Sequence, residues 1–106
     1  MDIDQSAQLD ALGDPTRRAI LARLVDKGPL PVGELTRTFA ITRPAVSQHL
    51  RILKRANLVT DQAAGTRRLY AVNPEAIESL RKYFDRFWAQ SLAAFKRRVE
   101  EPKKKR

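Results

Sequence analysis

Residues 42–56, TRPAVSQHLRILKRA, decide the fold of this chain because they predict one amphipathic helix. Thr42 is a suitable N-cap, and Pro44 lies in the first turn, where a missing backbone N–H removes no hydrogen bond. At about 100° per residue, the apolar side chains fall on one side of the helix, with His49 beside them. These apolar residues are Val46, Leu50 and Leu53.

The opposite side of this helix is polar and positively charged. It carries Arg43, Pro44, Ser47, Gln48, Arg51 and Arg55. Residues 35–60 include no aspartate or glutamate, whereas a solvated helix ordinarily mixes both signs to form ion pairs one turn apart. Serine and glutamine can hydrogen-bond base edges, and arginine can pair with guanine or phosphate. The pattern therefore favours a DNA-reading helix, with a merely solvated face as the alternative.

Composition limits the classes of protein and of site. The chain has 106 residues, enough for one domain with a modest core. Its formal net charge of +9 favours a polyanionic partner, either nucleic acid or an anionic membrane surface. The absence of cysteine excludes disulfides, thiolate metal sites and cysteine nucleophiles. No apolar run approaches the ~20 residues of a membrane span, and the acidic N-terminus is unlike a signal peptide, so we expect a cytoplasmic protein that does not engage a membrane.

Three helices are predicted before residue 42, over residues 1–12, 14–27 and 32–39, with a connection at residues 29–31. The first two end at glycines, and the second begins at an Asp-Pro pair that suits a cap followed by a first helical residue. Two short helices joined by a tight turn, the second basic and polar outside, are typical of a helix-turn-helix.

Two arginines in the first turn of the second helix, Arg17 and Arg18, oppose the helix dipole. Pairing with Asp14 or exposure to solvent would account for them. The functional alternative is that the exposed arginine, which we take to be Arg17, contacts a DNA phosphate.

After residue 57 the periodicity changes from helix to strand. Residues 58–62 and 67–72 predict two strands with a glycine-containing turn between them. A hairpin after a helix-turn-helix is a wing. Arg67 and Arg68, at its base or tip, can reach an adjacent minor groove or phosphates. A solvated hairpin end is the alternative.

Asn73 and Pro74 begin a last helix of ~25 residues, ~37 Å long, whose apolar positions recur every three or four residues. A winged domain is too compact to cover that length, and an exposed apolar stripe marks an interface. We therefore predict a homodimer, with the first helix packed alongside; complete folding of the stripe into the core is the alternative. The predicted interface residues are Leu9, Ile77, Phe84, Phe87, Trp88, Leu92 and Phe95.

The predicted fold is mainly α with a small β-hairpin: a winged helix-turn-helix of five helices and a two-stranded wing. Residues 1–101 form one domain, in which residues 1–12 and 74–100 are dimerisation helices and residues 14–73 are the DNA-binding core. Residues 102–106, PKKKR, are expected to be a disordered basic tail.

Three runs of sequence together resemble the ArsR/SmtB family of bacterial winged-helix repressors. They are LGDPTRRAILARL, VGELTRTFAITRPAVSQHLRILKRANLV and GTRRLYAV. The resemblance covers residues 9–74, and it implies a homodimer on palindromic operator DNA that usually represses its own operon. It also implies that the helix of residues 42–56 is the recognition helix and that the residues at its start contact bases. The corresponding residues here are Arg43, Pro44, Ser47 and Gln48.

The chain departs from that family at the metal-sensing positions. Founding members carry a cysteine pair in the helix before the recognition helix, where this chain has Thr36 and Thr38. The last helix has no histidine, and a single nitrogen ligand, His49, is a poor zinc site. The chain therefore looks like a branch without metal sensing, and we expect no metal or cofactor. His49 is expected either to pack or to face a phosphate.

A sequence-specific DNA-binding regulator, most simply a repressor, is the leading hypothesis. A protein-interaction adaptor and a non-specific nucleoid-binding protein are the alternatives, since winged helices serve several purposes. An enzyme is not expected, because Ser47 and His49 point in different directions on one helix and no carboxylate lies nearby in sequence. No motif identifies a small-molecule effector. The predicted DNA-contacting residues are Arg17, Arg43, Pro44, Ser47, Gln48, His49, Arg51, Arg55, Arg67 and Arg68.

Overall fold

The computed structural model of the protein describes residues 3–101, with side chains from residue 5 onward. These described residues form five helices and three strands. In chain order the elements are α1 Ile3–Ala11, α2 Pro15–Lys27, β1 Leu30–Pro31, α3 Val32–Phe39, α4 Arg43–Arg55, β2 Val59–Ala64, β3 Arg67–Val72 and α5 Pro74–Glu100. The predicted basic tail, residues 102–106, lies outside the described residues. The predicted mainly α fold with a hairpin wing is confirmed.

Polar caps set the starts of three helices. The side chains of Asp14, Thr42 and Asn73 each accept a hydrogen bond from a backbone N–H two or three residues further on. The oxygen-to-nitrogen distances are 2.9, 3.2 and 3.2 Å, respectively. A proline follows each cap within the first turn, where it leaves no hydrogen bond unmade. The predicted starts of α2, α4 and α5 are therefore confirmed.

The apolar sides of α2, α3 and α4 meet in one core, which the start of the wing closes. Helix α4 contributes three side chains that are at most 1% exposed, and they are the three that its periodicity predicts. This burial holds the helix in one rotational orientation, so its polar side must face outward. The largest fully buried side chains are Ile20, Leu24, Leu35, Val46, Leu50, Leu53, Leu58 and Val59.

The wing belongs to a three-stranded antiparallel sheet with the strand order β1-β3-β2 in the described residues. Strands β2 and β3 pair up to Ala64 and Arg67, which leaves two residues for the turn. The first of these, Gly65, has φ +65°, a conformation that favours glycine. The sequence predicts only a connection at residues 29–31, whereas β1 pairs with β3 there. A strand of two residues has no alternation by which sequence could reveal it.

Helix α5 is 27 residues long, ~40 Å, and most of it extends beyond the core. Ala76 and Leu80 are buried, but the exposed fraction rises to 41% at Phe84 and 65% at Phe95. The described residues span 73 × 25 × 23 Å, and their radius of gyration is 18.9 Å. A compact domain of this length would have a radius of about 13 Å. The prediction that this stripe is exposed is confirmed for the single chain. The alternative, that the stripe folds completely into the core, is wrong.

Two residues of the predicted interface lie closer to the chain's own core than the others. Leu9 on α1 and Ile77 on α5 are partly buried and pack against the core cluster. Helix α1 contacts both α4 and α5, which explains why Leu9 is covered within one chain.

We expect Leu50→Ala to destabilise the fold by about 2–5 kcal/mol, because it leaves a cavity behind the recognition helix α4. Urea unfolding followed by far-UV circular dichroism measures this loss. The matched control is Val25→Ala, on an aliphatic side chain that is 65% exposed, and it should change stability by less than about 0.5 kcal/mol. Equal urea midpoints for Leu50→Ala and wild type would show that α4 is not anchored through this face.

Candidate nucleic-acid interface

The outward side of α4 carries the polar residues that the sequence predicts there. Arg43, Pro44, Gln48, Arg51 and Arg55 are exposed, and Ser47 is half-buried. Their exposure follows directly from the burial of the opposite side, because a helix with one side in the core has its other side in solvent. The structure thus brings most of the predicted contacts on α4 to one accessible surface.

Gln48 and Arg51 form a pair on this surface. A guanidinium N–H of Arg51 donates to Oε1 of Gln48, one helical turn earlier. The carbonyl oxygen of the amide is thereby engaged, so a partner that approaches this surface meets N–H donors from both side chains. Phosphate oxygens and the N7 and O6 acceptors of guanine are suitable partners for such donors.

Arg17 is directed inward, toward the recognition helix. Its Nε donates to the carbonyl oxygen of Ala11 at 2.7 Å, and its Nη1 lies 3.5 Å from Nδ1 of His49. The same His49 nitrogen lies 4.0 Å from Oδ2 of Asp14. The backbone N–H of Arg17 donates to Asp14 and lowers the pKa of that carboxyl group, and the Arg17 charge lowers it further. Arg17 therefore connects α1, α2 and α4.

The prediction that Arg17 is the exposed arginine of its pair is wrong, since Arg17 is half-buried and Arg18 is exposed. Arg18 also bonds back to the chain, because its Nη1 donates to the carbonyl oxygen of Leu12 at 2.8 Å. The carbonyl groups at the end of α1 attract both guanidinium groups. His49, with a side chain only 20% exposed, packs between α4 and the start of α2, which is the first of its two predicted placements.

Asp61 in β2 joins the wing to the end of the recognition helix. Its Oδ1 lies 2.7 Å from Nζ of Lys54 in the last turn of α4, and its Oδ2 lies 2.7 Å from Nε of Arg68 in β3. The Asp61 side chain is only 8% exposed. The hydrogen bond from Lys54, followed by that from Arg68, lowers the pKa of Asp61. Arg68 was predicted as a DNA contact, but its guanidinium is held by this carboxylate.

Sequence reasoning did not single out Asp61, although one signal was available. Alternation along a strand places residues two apart on the same face, and Val59 on that face is fully buried. A carboxylate on an inward face needs a cationic partner. The partners come from α4 and β3, which only the folded chain brings together.

A cleft of about 450 Å³ separates the wing turn from α3 and the first turn of α4. Its positively charged lining residues are Arg37, Arg43, Arg67 and Arg68. Arg37 is paired with Glu34, and Arg68 is held by Asp61. Within residues 5–101, Arg43 and Arg67 have no ion-pair partner. The unpaired positive charge of the cleft is therefore contributed by one residue of the recognition helix and one beside the wing turn.

Two further kinds of site are absent from the described part of the chain, a metal-binding cluster and a membrane-spanning helix. Among residues 5–101, no group of three or more histidine, aspartate or glutamate side chains is placed to hold a metal ion. None of the helices in that part is both long enough and apolar enough to cross a membrane.

Comparison with known proteins assigns the helix-turn-helix region. Residues 12–62 match a family model described as a helix-turn-helix domain. The HTH-type transcriptional regulator Rv2034 of Mycobacterium tuberculosis is 51% identical over 90 residues, which cover 85% of this chain and 83% of that protein. The arsenical resistance operon repressor of Bacillus subtilis is 39% identical over 70 residues, 66% of this chain and 67% of that protein.

A solved structure of an ArsR family transcriptional regulator has the same fold. It superposes with a TM-score of 0.74 at 28% identity and covers 86% of this chain and 97% of its own. The relatives are named as regulators or repressors of transcription, and such proteins are not enzymes.

We expect the Asp61 carboxylate to stabilise the protein at neutral pH and to lose that effect in acid. Its pKa in the folded chain lies below the unfolded value of ~3.9, so the stabilisation is present above that pH and disappears as the pH falls through the folded value. Thermal unfolding of wild type and Asp61→Asn from neutral to strongly acidic pH measures this dependence. The midpoint of the variant should be lower at neutral pH, and the difference should shrink as the solution is acidified.

The matched control is Asp26→Asn, because Asp26 is exposed and its carboxylate is 3.8 Å from Lys27. This variant should unfold at the wild-type temperature at every pH. A midpoint difference for Asp61→Asn that stays constant across the whole pH range would contradict the assigned ion pairs.

Proposed function

This chain belongs to the ArsR family of DNA-binding helix-turn-helix transcriptional regulators, and from that premise we propose that it is a homodimeric repressor of its own operon, bound to a palindromic operator. The observation that carries this proposal is the separation of two surfaces. The polar, acid-free side of α4 and the apolar stripe of α5 are both exposed, and they lie on different helices. A chain with this arrangement can pair with a second copy while each copy still presents α4.

The proposed reading geometry places α4 in the major groove of each half-site. The half-sites would lie about one helical turn apart, ~34–36 Å, as in other dimeric helix-turn-helix proteins. Residues near the start of α4 would contact base edges, and residues in its later turns would contact phosphates. The proposed base contacts are Arg43, Pro44, Ser47 and Gln48, and the proposed phosphate contacts on α4 are Arg51 and Arg55.

The intramolecular contacts narrow the proposed DNA-contacting set. Arg43, Arg55 and Arg67 are exposed and have no ion-pair partner within residues 5–101, so their charges are available to phosphates. Arg17 and Arg68 would first have to leave the partners that hold them. We therefore propose Arg67 as the main contact of the wing, and we assign to Arg17, Arg68 and the half-buried His49 the holding of α4 and the wing in place.

The stripe on α5 supports the proposed homodimer. Its large side chains are between 41% and 65% exposed in the single chain, and monomeric proteins rarely leave so long a row of aromatic and aliphatic groups in water. A two-fold axis would bring the same stripe from both copies into contact. The residues of the proposed interface with this exposure are Phe84, Phe87, Trp88, Leu92 and Phe95.

We expect the wild-type protein to enrich one duplex sequence from a randomised DNA pool, here called the selected duplex. A dimer with roughly 6–10 phosphate contacts should lose about 10³–10⁵ in affinity between ~50 and ~200 mM salt. Gln48→Ala should lower the preference for the selected duplex over a scrambled one by roughly 5- to 100-fold, because a base contact is lost. Arg55→Ala should weaken both duplexes evenly and reduce the salt slope by about 1. Fluorescence anisotropy titrations measure all three quantities.

The control for this experiment is Arg86→Ala, which removes the same charge from the side of α5 opposite the stripe and should bind as wild type. Wild-type binding by both Gln48→Ala and Arg55→Ala would refute the proposed contact surface. Equal affinity of the wild-type protein for both duplexes would identify a non-specific nucleoid protein. No affinity for either duplex would favour the protein-interaction adaptor.

We expect the wild-type protein at micromolar concentration to sediment at twice the 12.1 kDa mass of one chain. Phe95→Glu places a charge on the stripe at the end farthest from the core, so it should give single chains with an unchanged far-UV circular dichroism spectrum. Ala93→Glu, on the opposite side of the same helix, is the control and should remain paired. A wild-type protein that sediments as a single chain would refute the homodimer.

A further inference from the structure

Asp61 is an acidic residue within a stretch of the chain whose other charged residues are all basic or histidine. It is the only aspartate or glutamate among residues 43–72, which include the recognition helix and the whole wing hairpin. Phosphate attraction increases with the net positive charge of a DNA-facing surface, so a carboxylate there lowers the affinity for any duplex. An acidic side chain at this position therefore needs a role other than attraction to the DNA phosphates.

The contacts of Asp61 join three elements. Each carboxylate oxygen is 2.7 Å from a cationic nitrogen, one on Lys54 at the end of α4 and the other on Arg68 in β3. Asp61 itself lies in β2, directly opposite Tyr70, so its bond to Arg68 crosses the hairpin diagonally. Both strands of the wing are thereby tied to the last turn of the recognition helix.

These contacts bear on the relative placement of the two unpaired arginines of the cleft. Arg43 lies in the first turn of α4, and Arg67 lies beside the wing turn, on the other side of the cleft. Strand β1 supports β3 only at Leu69 and Tyr70, so the part of the wing beyond them is two-stranded and has little stability of its own. Its angle to the helix therefore depends on the contacts that anchor it. The Asp61 contacts form such an anchor, at the end of α4 that is opposite to Arg43.

We propose that Asp61 is a positioning residue that sets sequence specificity. It holds the wing on α4 so that Arg67 binds the DNA backbone in register with the base contacts of α4. Its second effect is to neutralise Lys54 and Arg68, two cations that would otherwise attract any duplex. The residue thus lowers affinity for unrelated DNA and preserves the geometry required on the operator. This inference rests on the proposed function as a sequence-specific DNA-binding protein.

The experiment compares Asp61→Asn with wild type on the selected and the scrambled duplex at several salt concentrations. The variant should bind the scrambled duplex more tightly, with a salt slope steeper by about 1–2, because two cations are released. Its preference for the selected duplex should fall roughly tenfold, about the loss of one base contact, because a wing that is not held in place no longer keeps the base contacts of α4 in register. Arg67→Ala should also have a smaller effect once Asp61 is replaced. The factor by which it weakens binding to the selected duplex should be less than half as large in Asp61→Asn as in wild type, because Arg67 no longer has a fixed position.

A second variant separates geometry from charge and does not depend on the folding of the first. Lys54→Gln removes the anchor on α4, leaves the bond between Asp61 and Arg68, and removes one cation. It should reduce the effect of Arg67→Ala on the selected duplex without any gain in affinity for the scrambled duplex. A residue that only stabilises the fold would shift the unfolding temperature and leave the effect of Arg67→Ala unchanged.

These measurements distinguish a failure of the positioning role from a failure of the proposed function. If wild type enriches a duplex, and both the preference and the effect of Arg67→Ala are the same in Asp61→Asn and Lys54→Gln as in wild type, the positioning role is overturned and the proposed function stands. If wild type enriches no duplex, the proposed function is overturned, and the positioning role with it.

Discussion

The burial of one side of α4 is the constraint on which the rest of the structure depends. Three side chains of that helix are almost completely withdrawn from water, so the helix cannot rotate without exposing them. Its polar side is therefore presented outward in a fixed orientation, and the surrounding helices serve mainly to complete the core behind it. The fold and the chemistry of the surface are two consequences of one periodicity, which explains why both can be inferred from the same fifteen-residue stretch.

Features that depend on a single helix could be predicted from the sequence. The inner and outer sides of α4 follow from spacing alone, as does the long stripe of α5, because a regular helix determines the direction of each side chain. Caps at Asp14, Thr42 and Asn73 were recognisable for the same reason, since a cap bonds to its own next turn. The family resemblance and the residues that carry it agreed with these local inferences.

Features that depend on contacts between elements could not be predicted. Which of Arg17 and Arg18 faces solvent is decided by the position of the carbonyl groups at the end of α1, and no local pattern encodes that position. The partners of Asp61 come from another helix and another strand. Arg17 and Arg68 therefore hold elements of the protein together, while the charges of Arg43, Arg55 and Arg67 remain available within the described residues. A list of arginines read from the sequence overstates the charge that a phosphate would meet.

The placement of Arg17 has a mechanical consequence. Its guanidinium bonds to the last residue of α1 and lies against His49 of the recognition helix, so it spans the two helices with one rigid, planar group. A sideways displacement of α1 must either break the 2.7 Å bond to Ala11 or move the guanidinium against the imidazole. Helix α1 and the recognition helix are therefore coupled, and Arg17 adds a bonded connection to the direct contacts between them.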